Sequence, residues 1–67
     1  MNVYEVHFKD RVNVIVSGNE QLVPAVFIVC KDMESVLKCC KERWPNTDIR
    51  SIKITDYPGG IPMIIEP

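Results

Sequence analysis

The stretch that decides the fold runs from residue 25 to residue 45 and reads AVFIVCKDMESVLKCCKERWP. Its first six residues, Ala25 to Cys30, are apolar at every position. Because successive side chains of a strand point to opposite faces, such a run is apolar on both faces. Strands of this kind are typical of the interior of a sheet that is covered on both sides. We therefore predict that Ala25 to Cys30 form the central strand.

The second part of the stretch predicts one helix over about residues 33–44. Asp32 is a favourable N-cap, because its carboxylate can accept from backbone N–H groups of the first turn. Pro45 disfavours the α conformation for the residue before it, so we expect the helix to end near Trp44. Apolar residues at helical spacing predict the face that packs on the sheet, namely Met33, Val36, Leu37, Cys40 and Trp44.

The residues before this stretch predict two further strands. Polar and apolar residues alternate from Val3 to Phe8 and again from Val12 to Val16, with the polar residues 9–11 between them. The short gap favours a hairpin between the two runs. Residues 17–20 read SGNE, which is typical of a turn. Pro24 lacks a backbone donor, so pairing should begin after it or lie on an edge.

The residues after the helix predict a strand from Ile49 to Thr55 and a short edge strand from Ile61 to Ile65, which contains Pro62. The predicted fold class is therefore α+β. It consists of a three- to five-stranded antiparallel or mixed sheet with one helix packed on one face. The length of 67 residues allows one domain, residues 1–67, with one core.

Composition and charge narrow the classes of function. The chain is 46% hydrophobic and 25% charged, which is typical of a folded domain and not of a disordered one. Its 8 basic and 9 acidic residues give a formal net charge of −1, whereas proteins that bind nucleic acids usually carry a basic excess. We expect no secretory leader and no membrane span. Three cysteines, two of them adjacent, favour reduced thiols and a cytoplasmic location, in a host cell if the protein is viral.

The residues that could support catalysis or metal binding are His7, Cys30, Cys39 and Cys40. A Cys–His pair needs both side chains within hydrogen-bonding distance, but strand alternation and helical phase place His7 and Cys40 on opposite sides of the sheet. Zinc sites usually use closely spaced ligand pairs, which this spacing lacks. We predict no catalytic, cofactor-binding or metal site. Cys39 lies at the margin of the predicted apolar stripe, so we expect it to be partly exposed and the most reactive thiol.

The main anomaly is a surplus of apolar residues, because one helix covers only one face of a sheet. We expect a set of apolar side chains to lie on the other face or on an edge and to form an interaction surface: Val3, Ile15, Val26, Ile28 and Ile64. Two copies that stack sheet on sheet would bury this face. The leading prediction is therefore a non-enzymatic protein-interaction module, either a homodimer or a binder of a larger protein.

Two alternatives remain open. A basic patch centred on the helix would make the chain an accessory protein that associates with nucleic acid; its residues would be Lys38, Lys41, Arg43, Arg50 and Lys53. Acidic residues interspersed among them argue against a strong patch. The third possibility is a very small thiol-dependent enzyme that uses Cys39 or His7.

One resemblance adds to these expectations. The chain combines the strand from Ala25 to Val29, a helix opened by Asp32 and closed by Trp44 and Pro45, and the apolar pattern of residues 48–54. Over residues 25–55 this order resembles small ββαβ proteins encoded by phages and other mobile elements. The resemblance is one of apolar pattern and implies a small accessory protein that modulates or inhibits a host protein by binding to it.

Overall fold

The computed structural model describes residues 2–56 and 59–65. The chain forms β1 (Asn2–Val16), β2 (Asn19–Cys30), α1 (Met33–Arg43), β3 (Ile49–Thr55) and β4 (Met63–Ile65). The strands form one sheet in the order β3-β1-β2-β4, in which β1 pairs antiparallel with β2 and β3. Strand β4 pairs parallel with β2. The predicted α+β class, with a mixed sheet and one helix, is confirmed.

Helix α1 has the ends that local sequence predicts. The Asp32 carboxylate accepts a hydrogen bond from the Ser35 N–H at 2.8 Å. This backbone hydrogen bond is the main reason why the pKa of Asp32 is lowered from its ordinary value. At the other end, the Trp44 N–H donates to the carbonyl oxygen of Cys40 at 2.8 Å and closes the last turn. The basic residues of that turn, Lys41 and Arg43, complement the helix dipole.

The predicted hairpin between residues 3–8 and 12–16 is wrong, because both runs belong to the single strand β1. The register with β2 shifts between His7 and Val12, so a bulge accommodates the polar residues instead of a turn. Pro24 lies at the same irregularity, where its missing donor is tolerated, and β2 runs through it. The hairpin turn is at Ser17 and Gly18, which both have positive φ, at 52° and 80°. A two-residue turn of this kind matches the strand twist.

The core lies between α1 and one face of the sheet, which we call the helix face. Strand β1 contributes Tyr4, Val6 and Phe8 to it, and the helix contributes Val36, Cys39 and Cys40. The predicted helical stripe is therefore rotated: Met33 and Leu37 are exposed, and Cys39 replaces them. Two small cysteine side chains let the helix approach a face that already carries large aromatic rings.

The other face of the sheet, which we call the second face, is also covered in part by this chain. Phe27 and Ala25 are 1% and 3% exposed, and neither belongs to the core cluster beneath the helix. Strands β3 and β4 lie at opposite edges of the sheet and run in the same direction. The Phe27 N–H donates to the Pro62 carbonyl oxygen at 2.8 Å, next to the start of β4.

Candidate functional site

The five residues predicted to form an apolar interaction surface do not lie together. Val26 and Ile28 are 0% exposed, because their pairing with Val6 and Tyr4 places them on the helix face. The prediction that they lie on the opposite face is wrong. Ile64 pairs with Ile28, so it shares the helix face and is half-buried. Val3 is half-buried on the second face, next to Val29.

Ile15 is the exposed member of that set. It is 75% exposed near the hairpin tip, on the strand opposite Glu20. Leu22 lies diagonally across the same pair of strands and is also exposed. The two side chains share the outer surface of the tip, because the inner surface carries Val12 and Val14 in the core. They form a small apolar pair and not a continuous face.

The second face carries a polar cluster beside buried Phe27. The Glu5 carboxylate lies 2.6 Å from His7 Nε2 and 3.4 Å from Lys53 Nζ. The hydrogen bond with His7 is the largest cause of a lowered Glu5 pKa; Lys53 also lowers this pKa, whereas desolvation raises it. As predicted, His7 lies across the sheet from Cys40, which is in the helix-face core. The two residues are therefore not brought together.

The predicted basic patch is divided by the sheet. Lys53 lies on the second face, where it pairs with Glu5 across the strands. Lys38, Lys41 and Arg43 are exposed on the helix, which covers the other face. Arg50 lies at a bulge of β3, between the pairs formed by Ile49 and Ser51. The prediction of one patch formed by all five residues is therefore wrong, because its members lie on both sides of the sheet.

The thiols are all reduced and all buried. Cys39 is 4% exposed, so the prediction that it lies partly exposed is wrong. Burial is the largest cause that raises the pKa of Cys40 to about 12, with further contributions from Cys39 and Cys30. The Cys30 thiol donates to the carbonyl oxygen of Asp32 at 3.3 Å. These groups are part of the core and lack the features of an activated nucleophile.

We expect all three thiols of the native protein to react slowly with a thiol reagent at pH 8. At that pH the Cys40 thiol, whose pKa is about 12, is ionised to about one part in ten thousand. All three thiols are buried, so labelling of each waits for local or global opening. The measurement is the labelling rate of each cysteine by peptide mass spectrometry, with guanidinium-unfolded protein as the control. Rapid labelling of Cys39 in native buffer would contradict the observed helix phase.

A groove of about 520 Å³ opens on the helix face between residues 13–17 of the hairpin tip, the end of the helix and residues 62–64. Trp44 forms part of its wall, and Arg43 is the charged residue of its lining. Among the described residues, the lining holds neither a carboxylate nor a histidine. The groove therefore lacks a pair of groups suited to general acid–base catalysis.

The exposed apolar side chains of the described residues include a group that sequence reasoning missed. Met33 and Leu37 are 39% and 49% exposed and lie one helical turn apart. The same flank of the helix ends at Trp44, whose ring packs on Phe8 beside β3. Ile54 of β3 is 65% exposed. It lies on the helix face, because it pairs with Tyr4. All three of these side chains are exposed on the side of the sheet that carries the helix, and we call Met33, Leu37 and Ile54 the helix–β3 patch.

The helix–β3 patch lies beside an open edge of the sheet. Strand β3 has seven residues and pairs with β1 on one side; no other described strand lies on its outer side. The opposite edge strand, β4, has three residues. An edge strand presents unpaired N–H and C=O groups to which an additional strand can bind. The longer open edge therefore carries one member of the patch, Ile54, whereas the shorter edge strand carries the exposed Met63 and Ile65.

Comparisons with protein-family models, curated proteins and solved structures found no significant match for this chain. Among residues 2–56 and 59–65, no group of three or more His, Cys, Asp or Glu side chains is arranged to hold a metal ion. The described part of the chain contains no helix that is long and apolar enough to span a membrane. Evidence for a function therefore comes from the geometry of the described residues.

Proposed function

We propose that this chain is a non-enzymatic module that binds another protein through the helix–β3 patch. The observation that carries the proposal is the exposure of Met33, Leu37 and Ile54 beside the open edge of β3. Burial of large apolar side chains supplies most of the favourable free energy of protein association. The adjacent edge adds unpaired backbone groups, which fix the orientation of a bound strand.

The chemistry of the polar groups supports binding rather than catalysis. The three thiols are buried in the core, and the pKa of Cys40 is raised to about 12, so a thiolate nucleophile is disfavoured at neutral pH. The Glu5 carboxylate is held by His7 at 2.6 Å and by Lys53 at 3.4 Å, and its pKa is lowered mainly by the hydrogen bond with His7, so it is a poor proton donor. A nucleic-acid function is weakened by the division of the basic residues between two faces.

The charge of β3 favours a partner other than a second copy of the chain. Its seven residues include Arg50 and Lys53 and no acidic residue. Two copies that pair through this edge would align four cations along one junction, which is unfavourable. Phe27 is covered within the chain, so its burial needs no second copy. We therefore propose a different protein as the partner, and the resemblance to proteins of phages and mobile elements makes a host protein, inhibited or modulated by binding, our specific proposal.

We expect that replacing both Leu37 and Ile54 by Ser will reduce capture of the partner by at least about tenfold, because hot-spot apolar side chains each contribute more than about 1 kcal/mol. The measurement is affinity capture from cells that contain the protein. The captured partner is quantified by mass spectrometry and compared with the amount captured by a bait without this chain. Ile15→Ser is the matched control, because Ile15 is an exposed apolar strand residue away from the patch. Thermal melts of each variant verify folding.

Equal capture by the double variant and the Ile15→Ser control would contradict the proposed surface. Sedimentation of the wild-type chain addresses the homodimer. A dimer that the double variant abolishes would show that the patch binds a second copy, against the charge argument for a different partner.

A further inference from the structure

We propose that the partner contributes an extended segment, in which acidic and apolar residues alternate, and that this segment adds as a strand to the open edge of β3. This inference rests on the proposed function and specifies the chemistry of the partner. The charges of β3 and the alternation of its side chains between the two faces favour this kind of segment at the edge.

The first argument is the electrostatics of the edge. The Lys53 side chain is 67% exposed, and among the described residues its ammonium pairs with one carboxylate, that of Glu5, at 3.4 Å. Glu5 is shared with His7, whose Nε2 is closer, at 2.6 Å. An ammonium group has three donors, so Lys53 retains the capacity to bind a further carboxylate. Arg50 is exposed at the bulge of the same strand. A carboxylate-bearing segment complements this edge, and a basic one is repelled.

The second argument is the alternation of faces along β3. Ile52 and Ile54 pair with Val6 and Tyr4, so they lie on the helix face, whereas Lys53 lies on the second face with Glu5. An added strand has the same alternation, because side chains of neighbouring strands that pair directly share a face. Its apolar side chains would then lie beside Ile54, on the face of the sheet that carries the helix. Its acidic side chains would lie beside Lys53.

The third argument compares the two edges. Strand β4 has three residues and follows Pro62, which lacks a backbone donor. Strand β3 offers seven residues and contains no proline. Lysines on an edge can also serve to prevent aggregation. If the cations of β3 serve only that role, an acidic segment should be preferred only through general charge attraction. A change of charge at Lys53 and at a lysine elsewhere on the surface should then have equal effects, whereas binding of a strand at β3 predicts a larger effect at Lys53.

The test uses a short end-capped peptide in which Val and Glu alternate, titrated into the full chain and followed by amide NMR shifts. We expect the largest shifts at Ile49–Thr55 and at Leu37. Lys53→Glu should weaken binding by about tenfold, as for removal of a close charge pair at an interface. Lys38→Glu, an equal change of charge on the helix surface, should weaken it by less than about twofold. A peptide with N-methyl groups along one edge should not bind, because it cannot form the backbone ladder.

Three outcomes would overturn the inference: equal binding of a peptide in which Val and Lys alternate, equal weakening by Lys38→Glu and Lys53→Glu, or shifts centred away from β3. The capture experiment with Leu37 and Ile54 is independent of the peptide. If capture depends on the patch while the acidic peptide fails to bind, the proposed function stands and this inference fails. If neither depends on these residues, both fail.

Discussion

Replacement of Phe27 by Ala is expected to remove most of the stability of the domain, with a loss of about 3–5 kcal/mol in the free energy of unfolding. Phe27 is 1% exposed and is the largest of the fully buried side chains. A domain with a total stability near the lower end of about 5–15 kcal/mol has little reserve for such a loss. The reason is the cavity that the substitution leaves on the second face, on which the helix does not pack.

The measurement is chemical denaturation of the Phe27→Ala variant, followed by circular dichroism. Val29→Ala is the control, because Val29 lies on the same strand and face but is half-buried, so its loss should be clearly smaller. The experiment also decides between a covered and an open second face. A midpoint that rises strongly with protein concentration in the wild type, together with a Phe27→Ala variant of unchanged stability, would show that the cover comes from another molecule.

The second large effect is expected at Trp44, whose replacement by Ala should reduce the free energy of unfolding by about 3 kcal/mol. Its ring packs edge-on against Phe8, with centroids 5.2 Å apart and planes at 69°. Its Nε1–H donates to the Asn13 carbonyl oxygen at 2.8 Å. Trp44 therefore connects the end of the helix both to the core and to the hairpin tip. Because Trp44 is half-buried, we place the effect at the lower end of the range for aromatic residues.

Trp44→Phe separates the two contributions. It keeps a ring to pack on Phe8 but cannot donate to Asn13, so we expect a loss of about 1 kcal/mol, the usual contribution of one hydrogen bond. Denaturation midpoints of the two variants and the wild type provide the comparison. If the two variants were equally destabilised, the ring contact would contribute nothing; if neither changed, the anchoring role of Trp44 would be wrong.

Anchoring of the hairpin tip by Trp44 also bears on the proposed binding surface. The tip and the helix–β3 patch lie on elements that meet at this residue, since Met33, Leu37 and Trp44 share one flank of the helix. A Trp44 variant that remains folded should therefore bind the acidic peptide more weakly than a variant of the Asn13 side chain does. The hydrogen bond uses the backbone of Asn13, so its side chain is dispensable for this contact.

Local sequence alone determined where the elements begin and end in the second half of the chain. Asp32, Pro45 and the polar residues before Ile49 act on neighbouring backbone groups, and the structure places the helix and β3 at the predicted positions. The turn at Ser17 and Gly18 is of the same kind, because it depends on the φ angles that those residues can adopt. These signals act over a few residues, so no knowledge of the packing was needed.

The tertiary structure decided how those elements are combined. The residues at 9–11 form a bulge instead of a turn because β1 continues through them, with β2 paired on one side and β3 on the other. The helix buries Cys39 and exposes Leu37, and a sequence pattern with apolar residues at both positions cannot resolve that rotation. For this reason the sequence pattern does not predict the candidate binding site: it places Met33 and Leu37 in the core, and Val26 and Ile28 on the surface. Which face a strand residue occupies depends on register with its neighbours, and register is a property of the whole sheet.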